Sequence, residues 1–105
     1  MDTKKYNKVV RDKIPEIIEE SGKKYNLKQI DDASFLVEIE KKLIEEVNEY
    51  SESKDIEELA DLLEVIYRIS ELRGVNSDEL DEIRKDKAKK RGIFANNLFL
   101  IDAEK

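Results

Sequence analysis

The chain has no cysteine and no histidine among its 105 residues. Without cysteine it can form neither a disulfide framework nor a zinc ribbon, and it has no thiolate nucleophile. Without histidine it lacks imidazole acid–base chemistry, haem ligation by histidine and the Glu-x-x-His ligand set of di-iron bundles. Any bound metal must therefore be held by oxygen atoms, which favours Mg²⁺ or Mn²⁺, followed by Ca²⁺.

Long apolar runs are also missing. No stretch approaches the roughly 18 consecutive apolar residues of a membrane-spanning helix. The first residues, MDTKKYNKVVRDK, contain no apolar signal core. The sequence therefore predicts a soluble, cytoplasmic protein with no membrane partner. Its length predicts one domain that spans residues 1–105.

Charged side chains make up 44% of the chain, against about 25% in an average protein, and they are unevenly distributed. Residues 31–82 contain 18 acidic and 5 basic side chains, a net charge of −13. The two flanks together contain 8 acidic and 15 basic side chains, a net charge of +7. Such a chain can pair with itself electrostatically, or it can hold a cation and a polyanion side by side.

The spacing of apolar residues predicts a mainly helical domain. A short helix, IPEIIEESG (14–22), has Pro15 in its first turn, and we expect it to bury its three isoleucines, Ile14, Ile17 and Ile18. A long helix begins near Asp32, where apolar residues start to recur every three or four positions. The members of this stripe are Phe35, Ile39, Leu43, Val47 and Tyr50.

A second long helix follows the break at SESKD (51–55). Asp55 is the expected N-cap, and Glu58 is expected to close a capping box. Ser77 is expected to cap a third long helix that ends at Gly92. The residues of the second helix predicted to face inward are Leu59, Leu62, Leu63, Ile66 and Ile69.

The predicted fold class is all-α. The short connection between the two central helices predicts an antiparallel helix bundle. Residues 25–30 (YNLKQI) and 94–101 (FANNLFLI) have strand-like composition, so a short two-stranded β-ribbon is a second expectation. Apolar positions left outside the predicted stripes suggest a homodimer or homotetramer, and these are Leu36, Ile44, Val65 and Leu72.

Carboxylates lie at helical spacing on both central helices. Glu46 and Glu49 are three residues apart, Glu45 and Glu49 are four apart, and Glu58 and Asp61 repeat the spacing of three. Side chains at these spacings share one helix face. If the helices are antiparallel neighbours, the two faces converge, and a divalent cation would relieve the repulsion. Spacing alone also allows the plain alternative, in which the carboxylates form a solvated helix surface.

Three ordered motifs resemble the all-α nucleoside triphosphate pyrophosphatase superfamily, in particular a small MazG-like, phosphoribosyl-ATP pyrophosphohydrolase-like subgroup. EEVNE (45–49) followed by ELAD (58–61) resembles its EExxE…ExxD signature. YNKVVRDKIPEII (6–18) resembles the opening of the subgroup, and KAKKRGIF (87–94) resembles its closing K-x-x-x-R-G-G-F motif. Ile93 stands where the closing motif has its second glycine.

The resemblance implies a fold of MazG-like type and Mg²⁺-dependent hydrolysis of a nucleoside triphosphate between its α- and β-phosphates, which yields a monophosphate and pyrophosphate. It implies a house-cleaning role on non-standard nucleotides, with phosphoribosyl-ATP as an alternative substrate. The expected metal ligands are Glu46, Glu49, Glu58 and Asp61. The expected catalytic carboxylates are Glu45, Glu46 and Glu49. The expected ligands of the substrate phosphates are Lys8, Arg11, Lys13, Lys87 and Arg91.

Two other classes of function use the same features differently. A non-enzymatic helical interaction module needs only the amphipathic helices, and its carboxylates would be solvated. A nucleic-acid-binding protein could use RKDKAKKR (84–91), which has six basic residues in eight. The acidic balance of the chain and the lack of interleaved aromatic residues count against nucleic acid.

Overall fold

A computed structural model of the chain describes residues 2–105. Within that range the chain forms four helices and no strand. The predicted all-α class is therefore confirmed. The helices are α1 (Ile14–Glu20), α2 (Asp32–Ser53), α3 (Ile56–Leu72) and α4 (Ser77–Arg91).

Helices α2 and α3 form the central pair. Helix α2 begins where the side chain of Asp31 accepts a 2.8 Å hydrogen bond from the Ser34 amide. It ends at Ser53, and the C-cap residue Lys54 has a left-handed backbone (φ 60°) that reverses the chain. Because only Lys54 and Asp55 separate the two helices, α3 packs back along α2.

The core is small and lies in the seam between α2 and α3. Its buried side chains are Val9, Ile39 and Val65, and Val9 comes from the extended segment before α1. Most of the stripe predicted on α2 faces this core, but Val47 is half-exposed. The partly buried side chains packed against the core are Phe35, Leu36, Leu43, Ile69 and Leu72.

Helix α3 faces α2 with a stripe that matches the predicted one only in part. Ile69 packs against the core, as predicted, and Leu62 is partly buried. Val65 is buried and Leu72 packs against the core, whereas Leu63 is 50% exposed. The expectation that Leu36, Val65 and Leu72 remain free for an oligomer is therefore wrong. The reason is that Val65 and the residues on the same face of α3 fill the seam. The neighbouring apolar stripe, which includes Leu63, therefore lies outside the seam.

Two further expectations about apolar segments are wrong. Helix α1 buries none of its isoleucines, and Ile17 is 57% exposed, because α1 packs against no other helix in the described part of the chain. Residues 25–30 and 94–101 form no strand within residues 2–105, so the β-ribbon is absent there. Tyr25, Leu27 and all the large apolar side chains of 94–101 are exposed, and two strands without a packed apolar face are not stable.

Two helix starts also differ from the predicted ones. Asp55 is the N-cap residue of α3, but its side chain makes no capping hydrogen bond, so the capping box with Glu58 is wrong. The Glu58 side chain lies instead among the acidic residues described below. Helix α4 is capped by Asn76 rather than Ser77, through a complete capping box with Glu79.

Candidate metal centre

The carboxylates occupy one end of the seam between α2 and α3. On α2, Glu46 lies two helical turns after the buried Ile39 and on the same face, and it is only 5% exposed. On α3, Asp61 and Glu58 lie one and two turns before the buried Val65 on the same face, and both are partly buried. These acidic side chains are therefore in register with the core residues, at positions where an apolar residue is usual.

Two groups of carboxylates overlap at Glu46. In the first group, Glu45, Glu46 and Glu49 of α2 offer oxygen atoms that all lie within 4.8 Å of one another. In the second group, Glu46 meets Glu58 and Asp61 of α3 within the same limit. The structure thus brings together all five carboxylates that helix spacing had suggested, and Glu46 links the two helices. Several carboxylate oxygens this close together suit a hard divalent cation.

One oxygen of Glu46 and one of Glu58 are buried without a hydrogen-bond partner. Both are Oε2 atoms, and no donor within residues 2–105 reaches either of them. Burial raises the pKa of Glu46, and the charge of Glu49 raises it further. The same two causes raise the pKa of Glu58, to which Asp61 and Glu46 also contribute.

A divalent cation between the helices would relieve this arrangement. A buried, unpaired carboxylate oxygen loses its hydration without gaining a partner, which is unfavourable. A cation would supply the missing partner for Glu46 and Glu58 and would cancel the repulsion from their neighbours. The residues present therefore fit a metal ion held by oxygen ligands. The donor set alone does not choose between Mg²⁺, Mn²⁺ and Ca²⁺.

Glu45 lies in a different electrostatic environment from Glu46. Lys8 Nζ donates a 2.8 Å hydrogen bond to Glu45 Oε1, and this contact lowers the pKa of Glu45. The same contact raises the pKa of Lys8. Adjacent carboxyl groups in the site therefore differ in proton affinity: Glu45 ionises readily, whereas Glu46 resists ionisation.

Lys42 belongs to the site although it was not among the predicted residues. Its Nζ atom lies 3.4 Å from Glu46 Oε1 and 3.8 Å from Glu45 Oε1. The signal was present in the sequence, because residues three and four positions apart share a helix face. Lys42 compensates part of the negative charge on the α2 side of the site.

The extended segment before α1 brings two of the predicted phosphate ligands to the site. Val9 fixes this segment in the core. On either side of Val9, Lys8 reaches Glu45, and Arg11 Nη2 donates a 2.7 Å hydrogen bond to Asp61 Oδ1. The Lys8 and Arg11 side chains remain 42% and 55% exposed. Both therefore neutralise carboxylates while staying accessible from solvent.

The other predicted phosphate ligands lie apart from the carboxylates within one chain. Lys13 occupies the N-cap position of α1. Lys87 and Arg91 are exposed in the last turns of α4, which packs only against α3. Within residues 2–105, the ion pairs of the site involve Lys8, Arg11 and Lys42 but none of these three. Their role at the substrate stays a prediction.

No helix within residues 2–105 combines the length and the apolar character that crossing a membrane requires. Comparisons of the chain with protein-family models, with curated proteins and with solved structures found no match.

Proposed function

We propose that the chain is a Mg²⁺-dependent nucleoside triphosphate pyrophosphohydrolase of MazG-like type, with Mn²⁺ as an alternative cofactor. It would cleave between the α- and β-phosphates and release a nucleoside monophosphate and pyrophosphate, in a cytoplasmic house-cleaning role on non-standard nucleotides. The observation that carries this proposal is the pair of carboxylate groups that share Glu46, with Lys8 and Arg11 beside them. Acidic oxygens for a cation next to basic groups for a polyanion suit metal-dependent phosphate chemistry.

Glu46, Glu49, Glu58 and Asp61 are the proposed Mg²⁺ ligands. The unpaired oxygens of Glu46 and Glu58 support this assignment. Mg²⁺ bound there would neutralise phosphate charge and lower the pKa of a coordinated water molecule. Because the four ligands come from two helices, they would also hold α2 against α3 at this end of the seam.

Glu45 is the proposed general base, with Glu46 and Glu49 as the other carboxylates in reach. In the hydrolysis, a water oxygen forms a bond to phosphorus, and the bond between phosphorus and the bridging oxygen breaks. The proton lost by the water needs an acceptor, and the chain has no histidine to provide one. Before substrate binds, the contact with Lys8 lowers the pKa of Glu45, so the carboxylate is already ionised. It can accept the proton of the water once Lys8 has turned to the phosphates.

Lys8 and Arg11 are proposed to exchange partners when substrate binds. Each now neutralises a carboxylate of the site. A cation among the same carboxylates would take over that neutralisation and leave the two exposed side chains free to bind the phosphates. Lys13, Lys87 and Arg91 remain part of the proposal as further phosphate ligands.

We also propose that the protein acts as a homodimer or homotetramer. The α3 stripe that does not face α2 is apolar and substantially exposed, with members spaced three and four residues apart. Such spacing pairs helices in bundles. Helix α2 adds Ile44 and Val47, which are also exposed. The exposed members on α3 are Ile56, Leu59, Leu63 and Ile66.

The test is pyrophosphate release from a panel of standard and damaged nucleoside triphosphates and phosphoribosyl-ATP, with Mg²⁺ or Mn²⁺. We expect turnover of at least one nucleoside triphosphate, and we expect Glu49→Gln and Asp61→Asn to abolish it without loss of helicity. Glu64→Gln is the matched control, because Glu64 is an exposed carboxylate of α3 outside both groups. Unchanged turnover in Glu49→Gln and Asp61→Asn would remove the metal assignment.

Other outcomes of the panel favour the alternative functions. Turnover of phosphoribosyl-ATP alone would indicate a phosphoribosyl-ATP pyrophosphohydrolase. If no substrate is cleaved and calorimetry detects binding of neither Mg²⁺ nor nucleotide, the chain is better described as a non-enzymatic helical interaction module.

A further inference from the structure

The segment that follows α4 is apolar and unpacked. Residues 93–101, here called the arm, form neither helix nor strand. All six of their large apolar side chains are 72–102% exposed. Surface of this kind gains stability only when another surface covers it. These side chains are Ile93, Phe94, Leu98, Phe99, Leu100 and Ile101.

The same molecule has an apolar groove, and no residue of the arm lines it. The groove has a volume of about 380 Å³ and lies where α4 packs against α3. Part of its lining is open to solvent, since Ile66 is 38% exposed and Ile83 is 50% exposed. The apolar side chains of the groove are Leu43, Ile66, Ile69, Val75, Leu80 and Ile83.

The surface of one chain is far larger than a compact chain of this size needs. It measures 10,034 Å², against about 6,100 Å² expected from the mass. The radius of gyration is 18.4 Å, against about 13 Å for a compact domain of this length. The excess of about 3,900 Å² exceeds the surface that each copy loses in many obligate dimers. One chain therefore has enough excess surface to form a stable dimer with a second copy of itself.

We infer that the arm of one chain occupies the α3–α4 groove of a second copy. Both surfaces are apolar, and among residues 2–105 the arm side chains and part of the groove lining are exposed. A reciprocal exchange would cover both surfaces on each copy. Two identical contacts related by a twofold axis close the assembly as a dimer. The inference concerns a surface outside the carboxylate site and does not depend on the proposed hydrolysis.

Cysteine cross-linking tests this contact directly, since the natural chain has no cysteine. Leu100→Cys in the arm and Ile83→Cys in the groove are mixed as separate full-length chains, one carrying a mass tag. Phe99→Cys replaces Leu100→Cys in a parallel mixture, because alternate side chains of an extended arm point to opposite sides. A disulfide requires Cα atoms within about 7 Å.

We expect a mixed covalent dimer from at least one of these mixtures, in excess of the dimers that each variant forms alone. No mixed dimer would overturn the inference. A chain that carries both cysteines and forms only an internal cross-link would also overturn it, because the arm would then fill its own groove.

Sedimentation of full-length chains gives a second measurement. The unmodified chain should have at least twice the 12.3 kDa mass of one copy. Replacing Leu98 and Leu100 together with Asp should raise the dissociation constant of the dimer by about a hundredfold. Ile17→Asp is the control, since it places a charge on an exposed apolar residue of α1, outside arm and groove. A monomeric natural chain, or equal weakening by both variants, would contradict the inference.

Discussion

Arg11 and Asp61 are 50 residues apart in the chain, yet Arg11 Nη2 lies 2.7 Å from Asp61 Oδ1. With the 2.8 Å contact between Lys8 and Glu45, this pair ties the basic N-terminal segment to both helices of the carboxylate site. Exposed ion pairs contribute only about 0–1 kcal/mol to stability. Stability is therefore a weak reason for this arrangement, whereas a site for a cation and a phosphate requires these charges side by side.

Arg11→Ala should change metal binding and substrate binding in opposite directions. Removal of the guanidinium frees Asp61, so the affinity for Mg²⁺ alone should rise by about two- to fivefold. The KM for the nucleotide should rise about tenfold or more, because a charge-assisted hydrogen bond to phosphate is lost. Calorimetry with Mg²⁺ and initial rates of pyrophosphate release measure the two effects separately.

The control for this variant is Arg84→Ala. Arg84 is an exposed arginine of α4 that pairs with Asp81 at 2.9 Å, away from the carboxylate groups. Its loss should alter neither quantity. If Arg11→Ala binds Mg²⁺ more tightly but keeps its KM, Arg11 is only a counter-charge and its assignment to the phosphates is wrong.

Glu46→Gln should stabilise the metal-free protein and remove its response to Mg²⁺. Folding raises the pKa of Glu46, chiefly through burial. A carboxyl whose pKa rises on folding destabilises the fold at every pH above that raised value. A neutral glutamine escapes this effect and can still accept a hydrogen bond from Lys42. We expect a gain of roughly 0.5–2 kcal/mol in the free energy of unfolding at neutral pH.

Thermal unfolding with and without Mg²⁺ measures both parts of this prediction. In the natural protein, Mg²⁺ at a hundred times its dissociation constant should add about 2.7 kcal/mol of stability, and in Glu46→Gln this increase should be largely absent. Glu64→Gln removes one exposed charge from α3 and should keep the full response. A less stable Glu46→Gln, or one with an undiminished response to Mg²⁺, would argue against a cation at this position.

The sequence predicts the position of the carboxylates along each helix, but not how deeply each side chain is buried. The proximity of Glu46 and Glu49 follows from the geometry of a single helix, which is a local property of the sequence. The face of α3 that meets α2 is not local. Helix α3 has one apolar stripe through Val65 and another through Leu63, and only packing against α2 selects the first. For the same reason, the burial of Glu46 appears only in the folded chain.

Contacts between distant segments were likewise beyond the sequence. Val9 is an apolar residue in a polar segment, but its place beside Ile39 and Val65 depends on tertiary packing. The expected β-ribbon failed because strand-like composition describes a preference that needs a packed partner surface. Composition alone could not show that residues 94–101 have no such partner within residues 2–105.

Val9→Ala should destabilise the protein and weaken the site together. Val9 is one of three buried hydrophobic residues within residues 2–105, so loss of its methyl groups should cost about 1–3 kcal/mol. A looser N-terminal segment should also raise the KM for the nucleotide, since Lys8 and Arg11 depend on its position. Denaturant unfolding and pyrophosphate release measure these effects.

Val10→Ala is the matched control, since the neighbouring valine is 39% exposed. It should cost less than about 0.5 kcal/mol and leave the KM unchanged. Equal effects of the two substitutions would mean that Val9 does not anchor the segment.

Asp31→Asn should make the stability of the fold less dependent on pH. The hydrogen bond from the Ser34 amide lowers the pKa of Asp31 in the folded state. A carboxyl with a lowered folded pKa stabilises the fold above its unfolded pKa, and this contribution disappears as the pH falls through the folded pKa. Asparagine keeps an acceptor for the Ser34 amide but carries no charge to lose.

The natural protein should therefore have the higher Tm above about pH 5, and its advantage over Asp31→Asn should shrink steadily below about pH 4. Thermal unfolding followed by circular dichroism between about pH 7 and pH 3 measures the difference. The two proteins share every other carboxyl group, so the difference isolates Asp31. A gap in Tm that stays constant over this range would show that the cap acts only through hydrogen-bond geometry and that the charge of Asp31 contributes nothing.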